Sequence, residues 1–172
     1  MNTFELKVWN DECDQVTYYT VAWDEYGPTE TDRFFEKYEK THKKAVQRLL
    51  SLLIDSIGTD HGAIDLFFNR PEDGVTGLPP HGRLTVDEVY FHYPKFPLRL
   101  YALRINESLV VLFNGGHKTA STNQDSPELN MQFQEAKIFG RRIENALHDG
   151  MIVFDEASRS LKSFNGSDEM VL

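Results

Sequence analysis

Residues 98–119 constrain the fold of this chain more than any other segment. They contain two apolar runs that are separated by the polar pair Asn106-Glu107. Short runs rich in leucine, valine and aromatic residues are typical of buried strands, and a tight polar turn joins antiparallel neighbours. The segment therefore predicts two adjacent strands, with arginines on the first and the pair His117-Lys118 just after the second.

Alternating apolar patterns on both sides of this segment predict further strands and three helices. Strands are predicted at 3–9, 16–23, 84–92, 98–105, 108–114 and 151–154. Two helices are predicted to begin at Thr31 and Thr41, and a third is predicted over 129–148. Residues 64–68 fit either a short strand or a helical turn, and 69–83 fit a loop because they hold three prolines and three glycines.

This order predicts an α+β fold: an antiparallel sheet of about four to six strands, two N-terminal helices packed on it, and a C-terminal helix. We assign residues 1–154 to a single domain and 155–172 to a polar tail whose composition allows flexibility. No uninterrupted apolar run approaches the roughly 20 residues that a membrane-spanning helix needs. We therefore expect a cytoplasmic protein without a membrane partner.

The cysteine and histidine content argues against a metal centre. Cys13 is the only cysteine, so an internal disulfide and a cysteine metal cluster are both excluded. No two histidines have the spacing of a zinc-binding helix. We expect no metal and no cofactor.

The net charge of −9 argues against a nucleic-acid ligand, because phosphate contacts usually require a basic protein. The charge is unevenly distributed along the chain. Residues 1–32 carry −7 and residues 149–172 carry −3, whereas the middle, 33–148, carries +1. The near-neutral middle therefore permits a local cationic patch.

The order and spacing of these features resemble those of RelE/HigB-type toxins, small proteins of bacterial toxin–antitoxin pairs that cut messenger RNA. The resemblance covers roughly residues 16–148. Arg99 and Tyr101 lie where the family has an Arg-x-x-Tyr-like strand pattern, and His117-Lys118-Thr119 lies where it has Lys-Lys-Thr or similar. The family's downstream Pro-x-x-Glu and alanine helix pattern is matched by Pro127, Glu128 and Ala136. The chain departs from the family in its greater length, its acidity, and Asn114-Gly115-Gly116 at the end of the second strand.

The resemblance implies an endoribonuclease that cleaves messenger RNA without metal, by attack of a 2′-hydroxyl on the adjacent phosphate. Ribosome dependence stays open, and a cognate antitoxin would be a partner. Positions 99 and 101 share one face of their strand by the two-residue period. Arg99 would clamp the phosphate with its planar fork, and Tyr101 would act as base or stacking platform. His117 or Lys118 would act as acid or second clamp.

Three further arginines could extend a phosphate track for RNA: Arg104, Arg141 and Arg142. Each assignment has a structural alternative. Arg99 could pair with Glu88 or Glu107, Tyr101 could be a core residue, and His117 could simply be an exposed loop residue. The alternative function is a non-catalytic protein-binding or regulatory module of the same fold, whose acidic ends cover the basic face or recruit a basic partner.

Overall fold

The computed structural model describes residues 2–119 and 126–172, and this part of the chain has an α+β fold. The strands are β1 (Glu5–Asn10), β2 (Thr17–Ala22), β3 (Val75–Leu78), β4 (Arg83–Val86), β5 (Val89–His92), β6 (Leu98–Asn106), β7 (Leu109–His117), β8 (Ile152–Asp155), β9 (Ser160–Ser163) and β10 (Met170–Val171). The α-helices are α1 (Glu30–Tyr38), α2 (Lys43–Ser51) and α3 (Pro127–His148). A π-helix over Leu52–His61 continues α2, and a 3-10 helix spans Asp65–Phe68.

The central sheet has six strands in the order β10-β1-β2-β7-β6-β3. Four of its five pairings are antiparallel, including the predicted hairpin of β6 and β7, but β2 and β7 run parallel. The prediction of an antiparallel sheet is therefore wrong at this pair. Parallel neighbours need a long crossover connection, and here the helices α1 and α2 lie in the chain between the two strands.

The helices cover opposite faces of the sheet. Side chains alternate along a strand, so Leu100 and Ala102 of β6 pack with the residues of α1, α2 and the π-helix. Tyr101 and Leu103 point to the other face and pack against α3. The two N-terminal helices thus pack on the sheet as predicted, and Arg99 belongs to the strand positions that face α3.

The parallel strands β2 and β7 pair over only part of their length, which leaves an opening in the sheet between them. Pairing of β2 with β7 covers only Thr17–Tyr19 and Leu109–Val111, and the first turn of α1 lies against the strands beyond this point. The Thr31 hydroxyl donates to the Phe113 carbonyl at 2.9 Å and lies 2.7 Å from the Thr20 hydroxyl. The start of α1 is thereby fixed to both strands at the opening.

Three segments differ from their predictions. The predicted loop 69–83 contains β3, which pairs with β6 at the edge of the sheet. The predicted strand 84–92 is a hairpin of β4 and β5, because Asp87 and Glu88 adopt positive φ angles of 49° and 68° that form a tight turn. The predicted polar tail contains β9, which pairs with β8, and β10, which pairs with β1. Leu161 and Met170 anchor these strands in the core, being 1% and 3% exposed.

None of the helices within the described residues is long and apolar enough to cross a membrane.

Candidate anion-binding site

Arg99 is the buried charge around which the candidate site is built. Its side chain is only 8% exposed, and its Nη1 atom is buried without a hydrogen-bond acceptor within the described residues. Burial lowers the pKa of the guanidinium from its usual value. Among the described residues no acidic group is paired with Arg99, and a buried cation without a counter-charge is strongly unfavourable, so this group is suited to receive an anion.

Three other basic residues lie within electrostatic reach of Arg99: Arg70, His81 and Lys118. Burial, followed by the positive charges of Arg99, Arg70 and Lys118, lowers the pKa of His81 to about 4. Burial also lowers the pKa of Lys118, and Arg99 and Arg70 act in the same direction. We call these four residues the cationic cluster. At neutral pH it contains three cations and one neutral imidazole.

Hydrogen bonds to backbone atoms bring the residues of the cluster together from three separate segments. The Asn69 side-chain amide donates to the His81 carbonyl at 2.9 Å, and its oxygen accepts from the His81 N–H at 3.0 Å. Asn69 therefore holds His81 beside the loop that carries Arg70. The Lys118 N–H donates to the Pro97 carbonyl at 2.7 Å, which fixes the end of β7 beside the start of β6.

Tyr101 supports Arg99 from the same strand face. Its ring stacks on Phe133 of α3 with centroids 4.8 Å apart, and the side chain is 1% exposed. Gly77 pairs with Tyr101 on β3, and a Cβ at that position would lie 3.3 Å from both Arg99 Cδ and Tyr101 Cε1. The glycine leaves room for both side chains. The shared face that the sequence predicts for Arg99 and Tyr101 is confirmed, with Tyr101 in the core.

His117 and Lys118 lie on different faces of the sheet. The His117 ring lies 4.8 Å from the His42 ring, and the His117 N–H donates to the Tyr38 hydroxyl at 3.1 Å. These contacts place His117 beside α1 and α2, whereas Arg99 faces α3. The structure therefore brings Arg99, Tyr101 and Lys118 together and leaves His117 apart.

The three arginines predicted to bind RNA lie away from the cluster. Arg104 faces the α1 side, where its Nε donates to the Ala63 carbonyl at 2.5 Å. Arg142 donates to the Asn2 carbonyl at 2.9 Å and lies over the Phe4 ring. Arg141 is exposed on α3. Two of the three therefore have structural contacts within the chain.

His81 and Arg70 were missed from the sequence because they lie in the segment 69–83, which the pattern predicts only as loop. Nothing in their spacing connects them to residue 99. Gly115, in contrast, could be noticed in the sequence, because it belongs to the pair Gly115-Gly116 near the end of β7. A Cβ on Gly115 would lie 1.8 Å from the Arg99 carbonyl oxygen, so only glycine permits this close approach of the two strands.

A second group of like charges lies at the opening between β2 and β7. Glu30 at the start of α1 is 6% exposed and hydrogen-bonds to Glu135 of α3. Burial, followed by the hydrogen bond and charge of Glu135, raises the pKa of Glu30 to about 7. Arg33 lies 3.2 Å from Glu30, and the Trp23 Nε1–H donates to Glu135 at 3.4 Å. We call Glu30 and Glu135 the carboxyl pair.

Comparison of the chain with protein-family models, curated proteins and solved structures finds no match.

Proposed function

We propose that this protein is a toxin-like endoribonuclease that binds an RNA phosphate at the cationic cluster. The observation that carries the proposal is the buried Arg99 guanidinium, whose Nη1 has no acceptor in the part of the chain that is described. Phosphate accepts two parallel hydrogen bonds from an arginine fork and would supply the missing negative charge. The pattern resemblance to RelE/HigB-type toxins favours messenger RNA over other phosphate compounds.

The cluster supplies the groups that metal-independent RNA cleavage needs. His81 is neutral at pH 7 because its pKa is about 4, so its imidazole can accept the proton of a 2′-hydroxyl. The 2′-oxygen then bonds to phosphorus, and the bond from phosphorus to the 5′-oxygen breaks. Lys118, whose pKa is lowered, donates a proton to that leaving oxygen. Arg99 stabilises the charge that develops on the phosphoryl oxygens.

This assignment moves the role of base from Tyr101 to His81. Tyr101 is buried under Phe133, and we propose that it positions Arg99 rather than touching RNA. A bound phosphate would also raise the pKa of His81, because its negative charge offsets the three neighbouring cations. The imidazole would therefore become a stronger base when substrate is present.

The overall acidity of the chain is compatible with this proposal. The acidic chain ends contribute β1 and β10 at one edge of the sheet, whereas Arg99 and Gly77 lie on β6 and β3 at the other edge. The acidic residues of the two chain ends therefore do not have to approach the cluster. We propose messenger RNA, on or off the ribosome, as the substrate in the cytoplasm, and a cognate antitoxin as the protein partner.

The test is messenger RNA integrity in a reconstituted translation reaction, read by primer extension. Arg99→Met keeps the apolar stem and removes the charge, and we expect it to lower the cleavage rate by at least about 100-fold. The control is Lys162→Ala on β9, which removes a cation that is paired with Asp168. This variant should cleave like the wild type. Intact message with folded wild-type protein would refute the nuclease assignment.

The second candidate is a non-catalytic module of the same fold that binds RNA or a protein. The burial of Tyr101 and the position of His117 on the other face favour it, because both groups are then withdrawn from the reaction. Under this alternative the wild type would protect RNA from added nuclease without cutting it, and Arg99→Met would lose that protection.

A further inference from the structure

The hairpin of β4 and β5 has one apolar face and one polar, aromatic face. Leu84 and Phe91 are cross-strand partners that pack into the core on the side of α2. The alternate pairs are Arg83 with His92 and Thr85 with Tyr90, so these four side chains share the outer face.

Tyr90 is a large exposed aromatic residue on that outer face. Its side chain is 60% exposed, and within the described residues its ring has one aromatic neighbour, His92, at 6.1 Å between centroids. Arg83 is exposed at the base of the same face. Arg48 of α2 reaches the hairpin, since its Nη2 donates to the His92 carbonyl at 3.3 Å. The Arg48 guanidinium lies over the Tyr93 and Phe96 rings, so Arg83 is the arginine that shares the outer face with Tyr90 and His92.

Both ends of the hairpin lead to the cationic cluster. His81 precedes β4 by two residues, and the Lys118 N–H is bonded to Pro97, just before β6. The acidic residues Asp87 and Glu88 lie at the far tip of the hairpin, where Asp87 is paired with His61 at 2.9 Å. Positive charge therefore increases along the hairpin from its tip toward the candidate site.

We propose that the outer face of this hairpin binds single-stranded RNA and guides it to the cationic cluster. Bases stack on Tyr90 and His92, and a neighbouring phosphate binds Arg83. Aromatic side chains beside an arginine recognise unstacked bases of any sequence, whereas a duplex keeps its bases stacked and hidden. The inference rests on the proposed function, and it names the class of RNA that the site takes.

The test is fluorescence anisotropy with a labelled short RNA whose 2′-hydroxyls are methylated, so that it binds without being cleaved. Tyr90→Ala should weaken binding by about 5- to 100-fold, the range expected for loss of one stacked base. Tyr26→Ala is the matched control, because Tyr26 is 90% exposed in the loop between β2 and α1 and should bind like the wild type. The same RNA annealed to its complement should bind more weakly than the single strand.

Arg99→Met in the same assay separates the two proposals. If Arg99→Met weakens binding while Tyr90→Ala binds as tightly as Tyr26→Ala, the hairpin inference is overturned and the cluster remains the RNA site. If Tyr90→Ala weakens binding and Arg99→Met does not, the hairpin binds RNA, but the proposed function fails, and guidance of the RNA to the cationic cluster fails with it. A wild type that binds neither strand overturns both.

Discussion

The cationic cluster and the carboxyl pair each group like charges around one buried residue, but they differ in how the repulsion is relieved. Glu30 and Glu135 relieve it within the chain, because a proton shared between two carboxyl groups removes one charge. Arg33 and Trp23 supply further contacts there. Arg99 has neither a described acceptor at Nη1 nor a proton that it can release at physiological pH.

The comparison distinguishes a structural group from a binding site. A like-charge group that is neutralised internally joins elements of the fold, and here it connects α1 with α3 through the opening in the sheet. A like-charge group that is left uncompensated lowers the stability of the free protein and gains stability when a counter-ion arrives. By this criterion the cluster is the functional region.

The largest effect is expected from Arg99→Met in the absence of any ligand. Removing an uncompensated buried charge while keeping the apolar stem should raise the free energy of unfolding by about 1–4 kcal/mol. Urea denaturation followed by circular dichroism measures this change. A variant that gains stability and loses activity would mark Arg99 as a functional rather than a structural residue.

Arg104→Met is the matched control on the same strand. The Arg104 Nε donates a hydrogen bond to the Ala63 carbonyl, so the loss of this hydrogen bond should destabilise the protein by about 1 kcal/mol. The two arginines of β6 are therefore expected to change stability in opposite directions. An equal loss of stability in both variants would show that Arg99 has an internal partner and would remove the contrast between the two regions.

The effect expected for the carboxyl pair depends on pH. The pKa of Glu30 is raised to about 7 from an ordinary value of 4.5, so the folded state holds its proton more tightly than the unfolded state. The resulting stability is complete below pH 4.5 and is lost as pH rises through 7. Relative to Glu30→Gln, the wild type should lose roughly 2–3 kcal/mol over this range.

The cluster should show the opposite dependence. The pKa of His81 is lowered from 6.5 to about 4, so its contribution is complete above pH 6.5 and is lost as pH falls through 4. Glu30→Gln should retain this acid-side loss and lack the loss at higher pH. A pH profile of Glu30→Gln that matches the wild type would show that the carboxyl pair shares no proton.

The sequence was sufficient for those features that depend on neighbouring residues. The two-residue period placed Arg99 and Tyr101 on one face, and the apolar runs located β6 and β7 and the long C-terminal helix. The parallel pairing of β2 with β7 was not visible, because it depends on where the helical crossover returns. The turn at Asp87-Glu88 was missed because Glu88, unlike Asp87, is not a typical residue for a positive φ angle.

The site itself could be predicted only in part. Arg99 and Lys118 were found because they flank an identifiable hairpin, whereas His81 and Arg70 are brought in by the two hydrogen bonds of Asn69. Such a contact between two loop segments has no periodic signature. The carboxyl pair joins residues 30 and 135 across the sheet, and a contact of that range also cannot be read from local sequence patterns.

The most direct test of the central claim is the effect of inorganic phosphate on the stability of the wild type and of Arg99→Met, at constant ionic strength. If the cluster awaits an external anion, phosphate at ten times its dissociation constant should stabilise the wild type by about 1.4 kcal/mol and leave Arg99→Met unchanged. Equal stabilisation of both proteins, or none of the wild type, would contradict the claim that Arg99 is an open anion site.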